Sequence, residues 1–121
     1  VAYGTMVNTA IMLCDKLNSE NVSAELIKLG QIKPLDCTEI FNSLRKTGKL
    51  IIAEDVCDNS CVGKQILAQA QIEGVEIKSA AICNLGDGLV SHGTVDELMR
   101  DCGLDADSLT KKALSLVRGA K

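Results

Sequence analysis

Apolar residues recur along the chain with two different periods, which predict helices and strands in alternation. Between residues 5 and 18 the apolar side chains stand three or four positions apart, the spacing of one helix face. Residues 22–29 instead alternate between apolar and polar, which is typical of a half-buried strand. Residues 49–55 contain an apolar run from Leu50 to Ala53 without alternation. This run indicates a central strand that is covered on both faces, as in a parallel sheet.

Turn signals extend the pattern to the whole chain. The predicted order is a strand end at residues 1–3, a helix over 5–18, a strand over 22–29, a helix from Asp36 to Gly48, a strand over 49–55, a helix through 66–72 that ends at Gly74, a strand over 75–82, and two helices opened at Thr94 and Asp105. Right-handed crossovers convert such an alternation into a three-layer α/β/α fold with a mostly parallel sheet.

Four of the five predicted helices have a start signal, and four have an apolar stripe. The side chains expected to cap the helix starts are Thr5, Asp36 with Glu39, Thr94 with Glu97, and Asp105. The stripes expected to be buried are Met6, Ala10, Leu13, Cys14 and Leu17; Ile40, Phe41 and Leu44; Ile66, Leu67, Ala70 and Ile72; and Leu109, Ala113, Leu116 and Val117.

The chain is large enough for one hydrophobic core and too short for two. It has 121 residues, of which 46% are hydrophobic, and no repeat or low-complexity stretch divides it. We therefore predict a single domain over residues 1–121. The opening Val1-Ala2-Tyr3 resembles the last residues of a strand, so we expect this domain to be a fragment of a longer protein.

Charge and composition exclude several classes of partner. The 13 Lys and Arg residues against 16 Asp and Glu give a formal net charge of -3, without the basic block that nucleic acid binding requires. Aromatic residues make up only 2%, which leaves no stacking surface for bases. No apolar run approaches the roughly 20 residues that cross a bilayer, and no export signal precedes the first helix. We expect a soluble, cytoplasmic protein.

Six cysteines raise the question of disulfides or a metal site. They are Cys14, Cys37, Cys57, Cys61, Cys83 and Cys102. A chain this rich in helix and strand formers does not resemble a loop-rich disulfide scaffold, which favours reduced thiols. Cys57 and Cys61, joined by Cys83, His92 or Cys102, are candidate zinc ligands. Their spacing lacks the tight, repeated pairs of structural zinc sites, so we predict small reduced residues and no metal.

Open parallel sheets bind ligands beyond the carboxyl ends of their strands, and two short segments there are candidates. The Gly4-Thr5-Met6 turn could present amide groups to an anion, but it lacks the glycine spacing and the lysine of a phosphate loop, which favours a plain helix cap. Glu54 and Asp55 are either a solvated strand end or acidic groups that meet a partner surface. Neighbours on a strand point to opposite sides, which argues against a paired acid and base.

The loop of residues 84–93 holds the remaining candidates. His92 is the only histidine and could transfer protons near neutral pH, but its position just before the Thr94 cap favours a structural role. Gly86-Asp87-Gly88 begins like the metal and diphosphate motif of thiamine diphosphate enzymes, yet no Asn follows it to complete the ligand set. We predict a glycine-rich turn, and we assign no catalytic, cofactor-binding or metal-binding residue in this chain.

Four segments in one order resemble a known family. They are Tyr3-Gly4-Thr5-Met6-Val7, Ile32-Lys33-Pro34-Leu35-Asp36, Leu50-Ile51-Ile52-Ala53-Glu54-Asp55 and His92-Gly93-Thr94-Val95-Asp96-Glu97-Leu98. Together they resemble the C-terminal domain of the transketolase family, and the His92 segment is most similar to the 1-deoxy-D-xylulose-5-phosphate synthases within it. The resemblance covers essentially the whole chain.

The resemblance implies a structural domain that helps form a homodimer. It implies that thiamine diphosphate, magnesium and the chemistry belong to preceding domains of the same protein, which would condense pyruvate with glyceraldehyde 3-phosphate to 1-deoxy-D-xylulose 5-phosphate for isoprenoid synthesis. This chain alone would then be inactive. The alternatives are the same domain from a 2-oxo acid dehydrogenase beta subunit or a split transketolase, and a free-standing module that binds a small anion at the Gly4-Thr5 turn.

Overall fold

The computed structural model describes residues 1–88 and 92–119 and contains five α-helices and two regular strands within them. The elements are α1 (Met6–Ser19), α2 (Thr38–Thr47), β1 (Lys49–Ala53), α3 (Val62–Glu73), β2 (Ser79–Cys83), α4 (Val95–Asp101) and α5 (Ala106–Arg118), with a single 3-10 turn at Asp58–Ser60. None of the helices in these residues is long and apolar enough to cross a membrane.

The sheet is parallel, and β1 lies inside it. Strands β1 and β2 pair from Lys49 opposite Ser79 to Ala53 opposite Cys83. On the other side of β1, Ala2 forms parallel bridges both to Ala53 and to Lys28. The order across the sheet is therefore residues 27–29, residues 1–3, β1 and β2, which confirms the central position predicted for β1.

Helices cover both faces of this sheet. On one face α2 and α3 pack against Ile52, and on the other α1 and α5 pack against Ala53. Successive residues of β1 thus enter different cores, which is why its sequence is apolar without alternation. Burial of each Leu or Ile side chain contributes about 1.5–3 kcal/mol. The three-layer α/β/α architecture is confirmed.

The segment predicted as a strand over residues 22–29 forms only the bridge at Lys28. Ala2 donates to the Ile27 carbonyl at 3.1 Å, and Leu29 donates to the Ala2 carbonyl at 3.0 Å. The prediction of a full strand was therefore wrong.

Two other strand limits also differ from the prediction. Strand β2 begins at Ser79 rather than at residue 75. Its pairing with the first strand starts where the Gly48 carbonyl accepts hydrogen bonds from the Lys78 amide at 2.8 Å and the Ser79 amide at 3.3 Å. Strand β1 ends at Ala53 rather than at residue 55, although the Glu54 amide still donates to the Cys83 carbonyl at 2.9 Å.

Most of the predicted helix ends are confirmed. Thr94 and Glu97 form the complete capping box, and Asp105 accepts a bond from the Ser108 amide at 3.1 Å. Gly48 and Gly74 end their helices with φ of 69° and 71°, a left-handed conformation that glycine adopts without strain.

Two predicted helix starts are wrong in detail. The Thr5 side chain makes no capping bond in α1. Helix α2 begins at Thr38 rather than at Asp36, whose carboxylate accepts bonds from the Thr38 amide at 2.9 Å and hydroxyl at 2.6 Å. Asp36 therefore caps the helix from the preceding turn, without the reciprocal bond from Glu39 that a capping box requires.

Most residues of the predicted stripes are buried, two are exposed and three are half-buried. Ile72 is 78% exposed, because it follows Ala70 by two positions and so lies on the opposite side of α3. Val117 is 39% exposed, because it lies in the last turn of α5. Cys14, Leu67 and Leu116 are half-buried.

Candidate functional site

Glu54 is the one fully buried charged side chain among the described residues. It accepts hydrogen bonds from the first backbone amides of α3. Its Oε1 accepts the Val62 amide at 2.6 Å, and its Oε2 accepts the Gly63 amide at 3.1 Å. Tyr3 donates its hydroxyl to Oε1 at 2.8 Å. A carboxylate is stabilised there because it satisfies free amide groups at the positive end of the helix.

Both interpretations offered for Glu54 from the sequence were therefore wrong, since it is neither solvated nor on a partner surface. One signal was available. The residue before α3 is Cys61, which makes no side-chain cap, so the first amide groups of the helix needed an acceptor from elsewhere in the chain.

Gly63 and Tyr3 show how tightly the Glu54 carboxylate is enclosed. A Cβ on Gly63 would lie 3.0 Å from Glu54 Oε2 and 3.0 Å from two carbons of Ile82. Burial, together with the hydrogen bond and negative charge of Glu54, raises the pKa of Tyr3 well above its usual value. Tyr3 therefore remains a hydrogen-bond donor across the physiological range.

Asp55 points the opposite way from Glu54, as the strand alternation predicts. It is exposed, and its Oδ2 accepts the Thr5 hydroxyl at 3.0 Å. The Gly4-Thr5 turn thus has a carboxylate beside it at the start of α1, and a bound anion would meet a like charge. This contact argues against the small-anion module.

Two loops at the carboxyl edge of the sheet are joined through Asp58. Its amide donates to the Gly86 carbonyl at 3.1 Å, and its carboxylate accepts the Asn84 side-chain amide at 3.0 Å. Lys64 forms an ion pair with the same carboxylate. The hydrogen bonds from Lys64 and Asn84 lower the pKa of Asp58. We call residues 56–61 and 84–86, joined in this way, the edge loops.

The candidate metal ligands are not brought together. No group of three His, Cys, Asp or Glu side chains that could hold a metal occurs within residues 1–88 and 92–119. Cys57 is exposed, Cys61 is buried at the start of α3, and Cys83 and Cys102 are half-buried. Burial raises the pKa of Cys83, which favours its neutral thiol. That the cysteines are reduced and free of metal stays a prediction.

The loop of residues 84–93 is only partly described. His92 is exposed two residues before the Thr94 cap, and residues 89–91 lie outside the described part. Gly86 has φ of 73°, as a turn requires. Asp87 is exposed and offers a single carboxylate. The donor set of this turn therefore does not fit a magnesium and diphosphate site.

Comparison with known proteins assigns the chain to a family. The family described as transketolase, C-terminal domain, matches residues 1–109. The chain belongs to this family. A split-gene transketolase, described as an inactive beta4 tetramer, has a similar structure, with a TM-score of 0.76 over 95% of this chain and 38% of that chain. At 24% identity this likeness concerns the fold alone.

Curated relatives of the domain are 1-deoxy-D-xylulose-5-phosphate synthases. The synthase of Heliobacterium modesticaldum is 33% identical over 96% of this chain, and that of Microcystis aeruginosa is 28% identical over 95%. The domain spans 18% of the length of each of these relatives. The resemblance that the four sequence segments carry is confirmed.

Proposed function

We propose that this domain is the C-terminal part of a 1-deoxy-D-xylulose-5-phosphate synthase of the cytoplasm. The whole protein condenses pyruvate with glyceraldehyde 3-phosphate, and thiamine diphosphate and magnesium bind outside this domain. The observation that carries the proposal is the similarity to synthases along nearly the whole domain, at 28% and 33% identity. The family match to a transketolase C-terminal domain supports it.

The role of the domain itself is to brace the catalytic domains and extend a homodimer interface. Two features of the carboxyl edge support a structural role. The Glu54 carboxylate accepts hydrogen bonds from the Tyr3 hydroxyl and from two backbone amides at the start of α3, all within the domain. The edge loops are joined by hydrogen bonds through Asp58, so they present a preformed surface with exposed polar side chains such as Asn59 and Ser60.

The experiment that tests the reaction uses the complete protein. We expect it to form 1-deoxy-D-xylulose 5-phosphate from pyruvate and glyceraldehyde 3-phosphate when thiamine diphosphate and magnesium are supplied. Transfer of a ketol unit between sugar phosphates without use of pyruvate would contradict the proposal and favour a split transketolase. Transfer of an acyl group from a 2-oxo acid to a lipoyl acceptor would favour the dehydrogenase subunit.

The structural role is tested on the domain and the complete protein in parallel. We expect calorimetry of the isolated domain with thiamine diphosphate and magnesium to show no saturable binding, and sedimentation to show only weak self-association. The complete protein should form a stable dimer that weakens when this domain is deleted. Micromolar cofactor binding by the domain, or an unchanged dimer after deletion, would contradict the proposed role.

A further inference from the structure

A cavity of about 450 Å³ lies between α3 and the first turns of α2, together with the segment that precedes α2. Its lining has an apolar part and a polar part. The apolar part consists of Leu35, Cys37 and Phe41, and the polar part consists of Asp36, Thr38, Arg45, Gln69 and Glu73. The cavity shares no residue with the edge loops or with the hydrogen bonds of Glu54, so the structural features of the carboxyl edge do not account for it.

The apolar part of the lining is the buried side of the cavity. Phe41 is 3% exposed, Cys37 is 7% exposed and Leu35 is half-buried. The Cys37 thiol forms no hydrogen bond with another described residue. Burial and the negative charges of Glu73 and Asp36 raise the pKa of Cys37, so it stays a neutral thiol. Because a neutral thiol packs like a small apolar group, this side of the cavity suits a hydrocarbon chain.

Two carboxylates belong to the polar part, and each uses only one of its oxygens within the described residues. Asp36 accepts the Thr38 amide and hydroxyl on Oδ1, and Glu73 accepts the Gln69 side-chain amide on Oε2 at 3.0 Å. The hydrogen bonds from Thr38 lower the pKa of Asp36, so its carboxylate is charged at neutral pH. The second oxygen of each carboxylate can therefore accept a hydrogen bond from a ligand.

Arg45 brings a positive charge to the same cavity. Its guanidinium has five N–H donors, and its one hydrogen bond with a described residue runs from Nη1 to Asn42 Oδ1 at a long 3.4 Å. None of the ion pairs within the described residues joins Arg45 to Asp36 or Glu73. Opposite charges therefore line one cavity without neutralising each other, which leaves both signs available to a ligand.

We propose that this cavity binds a basic α-amino acid, such as lysine or ornithine. The two ammonium groups of such a molecule would donate to the Asp36 and Glu73 carboxylates, and its carboxylate would accept a bidentate pair of hydrogen bonds from Arg45. Its methylene chain would pack on the apolar part of the lining. The charges are complementary, because the lining carries two negative charges and one positive charge, and the amino acid carries the reverse.

The size of the cavity agrees with a ligand of this class. Sites for small molecules have volumes of about 300–1,000 Å³, and the volume of about 450 Å³ lies within this range. The inference goes beyond the proposed function, since the site is made only of residues from α2, α3 and the segment before α2, and it holds whichever reaction the whole protein catalyses.

Nuclear magnetic resonance titrations of the whole chain test the proposal with three probes. L-Lysine carries all three charged groups, L-norleucine lacks the side-chain ammonium group, and cadaverine lacks the carboxylate. We expect L-lysine to shift the signals of the Cys37 backbone amide and the Gln69 side-chain amide in a saturable manner. Each of the other two probes should bind about tenfold more weakly, because each loses a hydrogen bond between charged groups.

Two exposed side chains of the lining provide variants that keep the fold. Glu73→Gln should weaken L-lysine binding about tenfold. Glu76→Gln is the matched control, because it removes the same charge from an exposed residue outside the cavity, and it should leave L-lysine binding unchanged. Arg45→Gln should weaken the binding of L-lysine about tenfold without weakening that of cadaverine, which has no carboxylate for Arg45 to bind.

Three results would overturn the proposal. The first is the absence of a saturable shift with L-lysine in the unsubstituted chain, and the second is equal binding of all three probes. The third is an equal loss of L-lysine binding in Glu73→Gln and Glu76→Gln, because the net charge of the chain would then account for the effect. The signal dispersion of each variant without a probe shows that the fold is retained.

Discussion

The two edges of the sheet differ in how their polar groups are satisfied. At the carboxyl edge the Glu54 carboxylate receives three donors, and Asp58 joins the edge loops. At the amino edge residues 23–26 have no backbone partner among the described residues, and the Val1 amine is buried. Hydrogen bonds within the domain therefore satisfy the polar groups of the carboxyl edge, whereas the backbone groups of residues 23–26 form no such bonds with the described residues. We expect substitutions and pH to act differently at the two edges.

The largest effect is expected for Glu54→Ala at the carboxyl edge. The substitution leaves two amide groups and the Tyr3 hydroxyl without an acceptor, each at a cost of about 1–3 kcal/mol, so unfolding should require about 3 kcal/mol less free energy. Equilibrium urea unfolding measures the change. Glu54→Gln, which keeps one acceptor oxygen, is the matched control and should lose less. Equal small losses below about 1 kcal/mol in both variants would show that this edge is not closed by Glu54.

The amino edge should respond to pH through Val1. Its amine has a pKa of about 6 when folded, against 8.0 for the ordinary group. Between these values the unfolded chain binds more protons, so stability rises with pH from about 6 to 8 by about 2–3 kcal/mol. Urea unfolding at several pH values measures this on the chain with a free Val1 amine. The acetylated chain should lack this rise, and an identical rise in both would refute the assignment to Val1.

The enclosure of Glu54 is tested at Gly63. In Gly63→Ala the added Cβ would press on the carboxylate and on Ile82, both 3.0 Å away, so we expect a loss of about 1–3 kcal/mol despite the better helix propensity of alanine. Gly30→Ala is the control, because no atom lies within 4 Å of its Cβ position. If both variants unfold at the same urea concentration, the packing around Glu54 has room to adjust.

The smallest effect is expected at the half-buried Asp58 that joins the edge loops. The bonds from Lys64 and Asn84 lower its pKa, so its contribution is present above the ordinary Asp pKa of about 4 and is lost as the pH falls through the lower folded value. The urea midpoint of the unsubstituted chain should exceed that of Asp58→Asn at neutral pH, and the difference should shrink in acid. A difference that does not change with pH would mean that the carboxylate charge plays no part.

Local patterns were sufficient to predict that the helices exist and where several of them end. The capping box of Thr94 and Glu97, the cap at Asp105 and the glycine ends of α2 and α3 each depend on residues a few positions apart. Such signals act within one turn, so the rest of the protein does not change them. The apolar run of β1 likewise predicted burial on both faces.

The role of Glu54 and the pairing of residues 22–29 were decided by the tertiary structure. Glu54 lies eight and nine positions before the amide groups that it accepts and 51 positions after the hydroxyl that it receives, so no local pattern distinguishes it from a solvated acid such as Asp55. The alternation of apolar and polar residues over 22–29 indicates only that the segment can form a strand. Whether it becomes one depends on a neighbour that supplies hydrogen bonds along its length, and among the described residues Ala2 supplies them only at Ile27 and Leu29.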